Sequence, residues 1–177
     1  MVVILTGHAI VATIAEVYLQ PGVLPVLCSL LGPSNAADDE SCSLASVASW
    51  ADQIKRKMGW SAALHYANAV ADHPPQLCVF PGAKGWEGHK DQNVLGAIRN
   101  TTNVLASWAQ GNGLADAAAA SEALKFLIHF LGDLHQPFHL VGRERGANGV
   151  FVRWQTRKNS VYLCLLMGRV WVELTFF

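Results

Sequence analysis

HFLGDLHQPFH, residues 129–139, closes a long apolar run, and the rest of the chain is read outward from it. The run opens with the alanines after Asp116 and keeps apolar side chains at helical spacing to Leu134, where Pro137 stops it. His129 and Asp133 stand four positions apart, so they project from nearly the same face of that helix. Three histidines and an aspartate fall within eleven residues of an otherwise apolar helix end. Buried without partners, such groups are costly. Zinc satisfies them, because imidazole nitrogen and carboxylate oxygen both bind it at roughly 2 Å in a tetrahedral site. The alternative is a solvated helix end whose histidines make ordinary hydrogen bonds, the commoner state of an isolated His-x-x-x-Asp pair.

Upstream, residues 7–19 (GHAIVATIAEVYL) repeat the helical spacing until Pro21-Gly22, and a second short helix is expected over 23–31. Ser43 opens SLASVASWADQIKRK, which reads as one amphipathic helix over 43–57 with its basic residues in the last turn, where the dipole favours them. Residues 70–90, with Pro74, Pro75 and Pro81, read as a long irregular loop. Two more helices are expected over 91–110 and 116–134. Residues 142–149 are rich in Gly and Arg, and VFVRW (150–154) alternates like a strand. The expectation is a helical domain whose loops carry polar residues.

The chain has 177 residues, 51% apolar and 15% charged, which suits one domain with a core and excludes a disordered linker. Thirteen basic residues balance thirteen acidic ones, so no basic stripe for nonspecific duplex DNA exists. Phosphate binding would need another source of positive charge, such as bound metal. Histidines occur at 8, 65, 73, 89, 129, 135 and 139, an unusual number for the size. Of the four cysteines, none forms a CxxC pair, which argues against a cysteine zinc site. Cys28 and Cys42 flank GPSNAADDES and could close a disulfide in an oxidising compartment, while Cys78 has no obvious partner. Met1 to Leu5 lacks the charged flank and length of a signal peptide. No stretch reaches the roughly 20 apolar residues of a membrane span. Residues 161–177 come closest, but Arg169 and Glu173 interrupt them, so no membrane partner is expected.

HFLGDLHQPFH followed by GRERGAN resembles the central signature of the S1/P1 nucleases, and GHAIVATIA, SWADQIKRK and LHYAN match earlier family segments in order. The resemblance runs from about Thr6 to about Asn159. It implies an all-α fold of the phospholipase C/P1 nuclease type and zinc-dependent hydrolysis of single-stranded RNA and DNA to 5′-nucleotides by a zinc-activated hydroxide. The related zinc phospholipases C, with the same ligand logic, are the alternative. By the resemblance, Asp52, His65, His129 and Asp133 hold one zinc, His8 with bridging Asp133 a second, and His139 belongs to a third. Lys55, three residues after Asp52, takes the place of the basic transition-state stabiliser, with Asp52 in the catalytic set. Tyr66 and Asn68 take positions that contact a nucleobase, and aromatic stacking suits unstacked single strands. His135 is expected to hydrogen-bond rather than ligate, and His73 and His89 to be exposed. Trp50, Trp60, Trp86 and Trp108 read as core or loop anchors. Arg143 and Arg145 suit either substrate phosphate or solvent. Asn100-Thr101-Thr102 is a glycosylation sequon, meaningful if the chain is secreted as the family is.

Both ends depart from the family pattern. MVVILT stands where mature members begin with a Trp whose amino group and carbonyl complete the second zinc site. In GAN, Ala147 replaces a family glycine. Beyond about 159–160 the family continues with an NLH…WD segment and its final helices, whereas this chain reads VYLCLLMGRVWVELTFF with no histidine after His139. The expectation is an incomplete nuclease-like domain over 1–160 with a divergent apolar tail over 161–177. Such a chain, a truncated or mis-spliced product or the result of an inaccurate gene model, is expected to hold at most one or two zincs. It would be a monomer whose tail promotes association, either weakly active or a catalytically inactive helical zinc-binding protein.

Overall fold

The structure is a computed structural model that describes residues 3–32, 42–67, 69–70, 81, 83–111, 113, 115–140, 144–148, 152–154 and 157–159. Helix dominates. α1 runs Val3–Tyr18, α2 Val23–Leu31, α3 Trp50–Ile54, α4 Val94–Ala109 and α5 Ala117–Leu134. Short 3-10 turns occupy Leu44–Val47, Gly59–His65 and Pro137–Leu140. One small antiparallel ribbon pairs β1 (Val152–Trp154) with β2 (Arg157–Asn159), in the part that alternates in sequence. Among the described residues, no helix is long and apolar enough to cross a membrane.

Local chemistry sets the helix ends. Asp116 caps α5 by accepting from Ala119 N at 2.7 Å, and Asn93 caps α4 by accepting from Leu95 N and Gly96 N. Gly22 and Gly32, both with positive φ, bracket α2. A disulfide joins Cys28 of α2 to Cys42. Glu16 of α1 accepts from Ser43 Oγ at 2.9 Å and from Leu44 N, so the segment after the disulfide is anchored to α1 twice more.

α5 is the central element because it is apolar on two sides. Ala120, Leu124 and Ile128 pack with Ala12, Leu30, Leu44 and Ala48 into one core cluster. Phe126 and Phe130 pack with Ala51, Ala67, Val94 and Ala97 into another. His129 and Asp133 lie between the two, both buried, so the fold delivers them to its interior.

The structure departs from the expected helix over 43–57. A 3-10 turn at Leu44–Val47 is followed by a break, and α3 covers only Trp50–Ile54. The cause is tertiary: the Ala48 carbonyl, which a continuous helix would give to Asp52 N, accepts from His129 Nδ1 at 2.7 Å. Lys55 is the C-cap of α3, so Arg56 and Lys57 lie beyond the helix. α1 also begins earlier than expected, taking in residues 3–6.

Candidate metal centre

Asp133 organises the site. Its Oδ1 is 3.1 Å from His8 Nε2 and 3.5 Å from His139 Nε2, while its Oδ2 is 2.9 Å from His65 Nδ1 and 3.3 Å from His129 Nε2. One carboxylate thus faces four imidazoles, two on each oxygen. Burial alone would raise its pKa, but His129, His65 and His8 together hold it well below the usual carboxylate range. His129 is pulled down by burial, yet Asp133, Asp52 and the Ala48 carbonyl carry it above the ordinary histidine value. Burial wins at His65 and His139, whose values lie below the ordinary one.

Each imidazole has a structural reason for its orientation. His129 donates from Nδ1 to the Ala48 carbonyl, which leaves Nε2 with its lone pair toward the centre. His139 donates from Nδ1 to the Gly146 carbonyl at 3.0 Å, leaving Nε2 toward Asp133. His8 reaches the centre because α1 runs tight against α5 at Gly132. A Cβ there would stand 2.4 Å from His8 Cδ2. The His8 ring stacks on His129 at 4.2 Å. His65 ends the Gly59–His65 turn, edge-on to Phe130, and its buried Nε2 has no hydrogen-bond partner among the described residues.

Asp52 completes the Oδ2 side. Its Oδ1 is 3.9 Å from His65 Nδ1 and 3.7 Å from His129 Nε2, and His65 Nδ1 is 3.0 Å from His129 Nε2. A tetrahedral zinc with bonds of about 2.05 Å holds its ligand atoms about 3.3 Å apart. The separations of His65 and His129 from each other, from Asp52 and from Asp133 run from 2.9 to 3.9 Å and bracket that value. His8, His129 and Asp133 form an overlapping group of three donors, as do Asp52, His65 and His129. Nitrogen and carboxylate oxygen are the donors zinc takes, so the residues present fit the ion.

Asp52 is also where the centre opens outward, one-third exposed, with Lys55 Nζ 3.7 Å from its Oδ1. Tyr66 is mostly buried, and burial raises its phenol above the ordinary value, with Arg145 opposing. It lies against the turn at 144–148, where a Cβ on Gly146 would be 2.5 Å from Tyr66 Cβ. Asn68, His73, Cys78 and Arg143 lie outside the described residues or side chains. His89 is exposed, and His135 is an exposed C-cap that hydrogen-bonds the Leu131 carbonyl. Trp50 packs edge-on against Phe126, whereas Trp60 leaves 62% of its surface exposed, which an anchor would not. Sequence reasoning missed the Ala48 carbonyl and the close approaches at Gly132 and Gly146. A glycine inside a helix is a usable signal for Gly132. A backbone acceptor such as Ala48 has none.

A family model described as S1/P1 nuclease matches residues 5–165. The chain is 37% identical over 163 residues to Endonuclease 4 of Arabidopsis thaliana, covering 88% of this chain and 51% of the relative. With Endonuclease 2 of the same plant the figures are 34% over 160 residues, 88% and 52%. With Nuclease S1 of Aspergillus oryzae they are 33% over 162 residues, 88% and 50%. The chain therefore spans about half the length of the curated relatives it matches.

Proposed function

This chain belongs to the S1/P1 nuclease family, and from that premise we propose that its histidine–aspartate centre holds zinc and hydrolyses phosphodiester bonds of single-stranded RNA and DNA, releasing 5′-nucleotides. The observation that carries the reading is the pair of overlapping three-donor groups, Asp52 with His65 and His129, and His8 with His129 and Asp133. Asp52, His65, His129 and Asp133 would hold one zinc, His8 with Asp133 a second, and His139 would belong to a third. Bound there, zinc supplies a Lewis acid that draws charge from phosphate oxygen and lowers the pKa of water.

The protein's own groups do the positioning. Asp133 sets the spacing of four imidazoles, and the Ala48 and Gly146 carbonyls fix two of their tautomers. Lys55 lies beside Asp52 at the open side and would supply a cation for the charge that gathers on the phosphate in the transition state. Tyr66 and Asn68 would contact the base of the bound strand. The Cys28–Cys42 disulfide supports a secretory, oxidising location.

The test counts zinc in chelator-washed protein by plasma mass spectrometry and assays hydrolysis of denatured DNA and of RNA after zinc is restored. The expected result is one or two zincs per chain and hydrolysis lost in His129→Ala. Zinc content and hydrolysis unchanged in that variant would sink the reading. Hydrolysis of phospholipid vesicles without any of nucleic acid would move the assignment to a lipid phosphodiesterase.

A further inference from the structure

Arg145 is a cation that the proposed chemistry leaves unassigned, although the fold sets it at the edge of the centre. It precedes Gly146, whose carbonyl accepts from His139 Nδ1 at 3.0 Å. A Cβ on Gly146 would stand 2.5 Å from Tyr66 Cβ and 3.1 Å from His139 Nδ1, so this backbone is wedged between the two side chains. The residue after Tyr66 is tied to the same place, because Ala67 N donates to the His139 carbonyl at 2.8 Å. Residue 145 therefore stands at the seam between the residue expected to meet a base and a histidine of the metal centre. Its φ of 56° and ψ of 58° are left-handed, a conformation that glycine adopts freely and arginine does not. Asn148 holds it there, its Nδ2 donating to the Arg145 carbonyl at 2.7 Å.

The charges around the centre make that position matter. The chain is neutral, with thirteen basic residues against thirteen acidic ones, so phosphate meets no broad basic surface. Lys55, on the Asp52 side, has its ammonium 3.7 Å from Asp52 Oδ1. Arg145 lies on the His139 side, exposed, and forms no ion pair among the described residues. Its charge acts on the Tyr66 phenol, against that of Glu87. A single strand with its scissile phosphate at the metal and a base against Tyr66 carries a further phosphate next to the scissile one. A guanidinium offers such a phosphate two parallel N–H donors and keeps its charge at every working pH. We propose that Arg145 binds the phosphate adjacent to the scissile one, so that the centre prefers strands of three or more nucleotides to a dinucleoside monophosphate. No bond forms or breaks in this contact. The proposal rests on the nuclease reading above.

The test pairs a change in the protein with a change in the substrate, on zinc-restored protein. The substrates are a thymidine trinucleotide with two phosphodiester linkages and its two analogues in which one linkage is an uncharged methylphosphonate. In the wild type one analogue should be hydrolysed about tenfold less efficiently at its remaining phosphodiester. The loss should fall on KM rather than kcat, because the contact is the same in ground state and transition state. Arg145→Gln should lose about tenfold on the trinucleotide, and the analogue should then cost it nothing more. Arg145→Lys should recover part of the loss, as a point charge without the paired donors. Binding gives a second reading without turnover. On chelator-washed protein the slope of log K for oligothymidylate against log salt should be shallower by about 0.7 in Arg145→Gln. An analogue penalty of equal size in wild type and Arg145→Gln, or a salt slope that the substitution leaves unchanged, overturns the proposal and leaves the nuclease reading standing. A wild type that neither hydrolyses nor binds the strand overturns the nuclease reading and the proposal with it.

Discussion

Replacing Gly132 with alanine tests whether the centre depends on the close approach of α1 to α5. The new Cβ would stand 2.4 Å from His8 Cδ2, 3.0 Å from Cγ and 3.2 Å from Nε2. Carbon atoms prefer about 3.5–4.0 Å, so the imidazole must retreat by roughly 1 Å. That takes the 3.1 Å bond from His8 to Asp133 out of hydrogen-bonding range. Overpacking costs about 1–3 kcal/mol and the lost bond to a charged group about 1.5–3 kcal/mol, against about 1 kcal/mol gained by alanine over glycine in a helix. The net is about 3 kcal/mol, or a Tm lower by about 6–12 °C. Thermal unfolding is measured on chelator-washed protein, so that metal adds nothing to either state. The control is the same substitution in a His8→Ala background, where the ring is gone and the added methyl should be neutral or stabilising. An equal cost of Gly132→Ala in both backgrounds would refute the reasoning. After zinc is restored, Gly132→Ala should lose the metal that His8 helps to hold and keep the one on the Asp52 side.

Two further outcomes follow from other parts of the fold. The disulfide closes a loop of 14 residues, which is worth about 3 kcal/mol. Cys28→Ser with Cys42→Ser should therefore lower Tm by about 6–12 °C, and reductant should lower the wild type equally while leaving the variant unmoved. Burial raises the Tyr66 phenol above its unfolded value of 10.0. A raised folded pKa contributes stability that is present below the unfolded value and lost as pH rises through the folded one. Melting temperature should fall above pH 10.0 in the wild type and less so in Tyr66→Phe. Parallel falls in the two proteins would remove Tyr66 as the cause.

The part of the centre within 129–139 was legible from spacing, because a helix puts His129 and Asp133 on one face whatever surrounds it. His8 and His65 were not. They meet Asp133 from 125 and 68 residues away, and no local periodicity encodes that meeting. Only the ordered family motifs tied them to it. Of the helices with clear caps, α5 lies where sequence reasoning put it, behind Asp116, while α4 falls within the expected 91–110 but starts at Val94, where Asn93 caps it. The segment 43–57 misled for the opposite reason. Its spacing is helical, but a residue 81 positions away takes one of its carbonyls. Propensity differences of a few tenths of a kcal/mol per residue yield to a buried hydrogen bond whose loss would cost about 1–3 kcal/mol.

That break and the turn after α5 have one physical function. Arg145, Gly146 and Ala147 are all left-handed, with φ of 56°, 64° and 64°. For the two residues with a Cβ this costs about 1–2 kcal/mol each. What the turn accomplishes is to point the Gly146 carbonyl at His139 Nδ1. The interruption before α3 likewise points the Ala48 carbonyl at His129 Nδ1. In both cases backbone regularity is given up to fix an imidazole tautomer with Nε2 facing Asp133. Asn148 holds the turn by donating from Nδ2 to the Arg145 carbonyl at 2.7 Å, and the space at Gly146 admits no side chain between Tyr66 and His139. A fold that needed only to bury its apolar faces would have no use for either irregularity. The two carbonyls orient imidazoles toward Asp133 from either side of it in the sequence, which suits the ion-binding role proposed above.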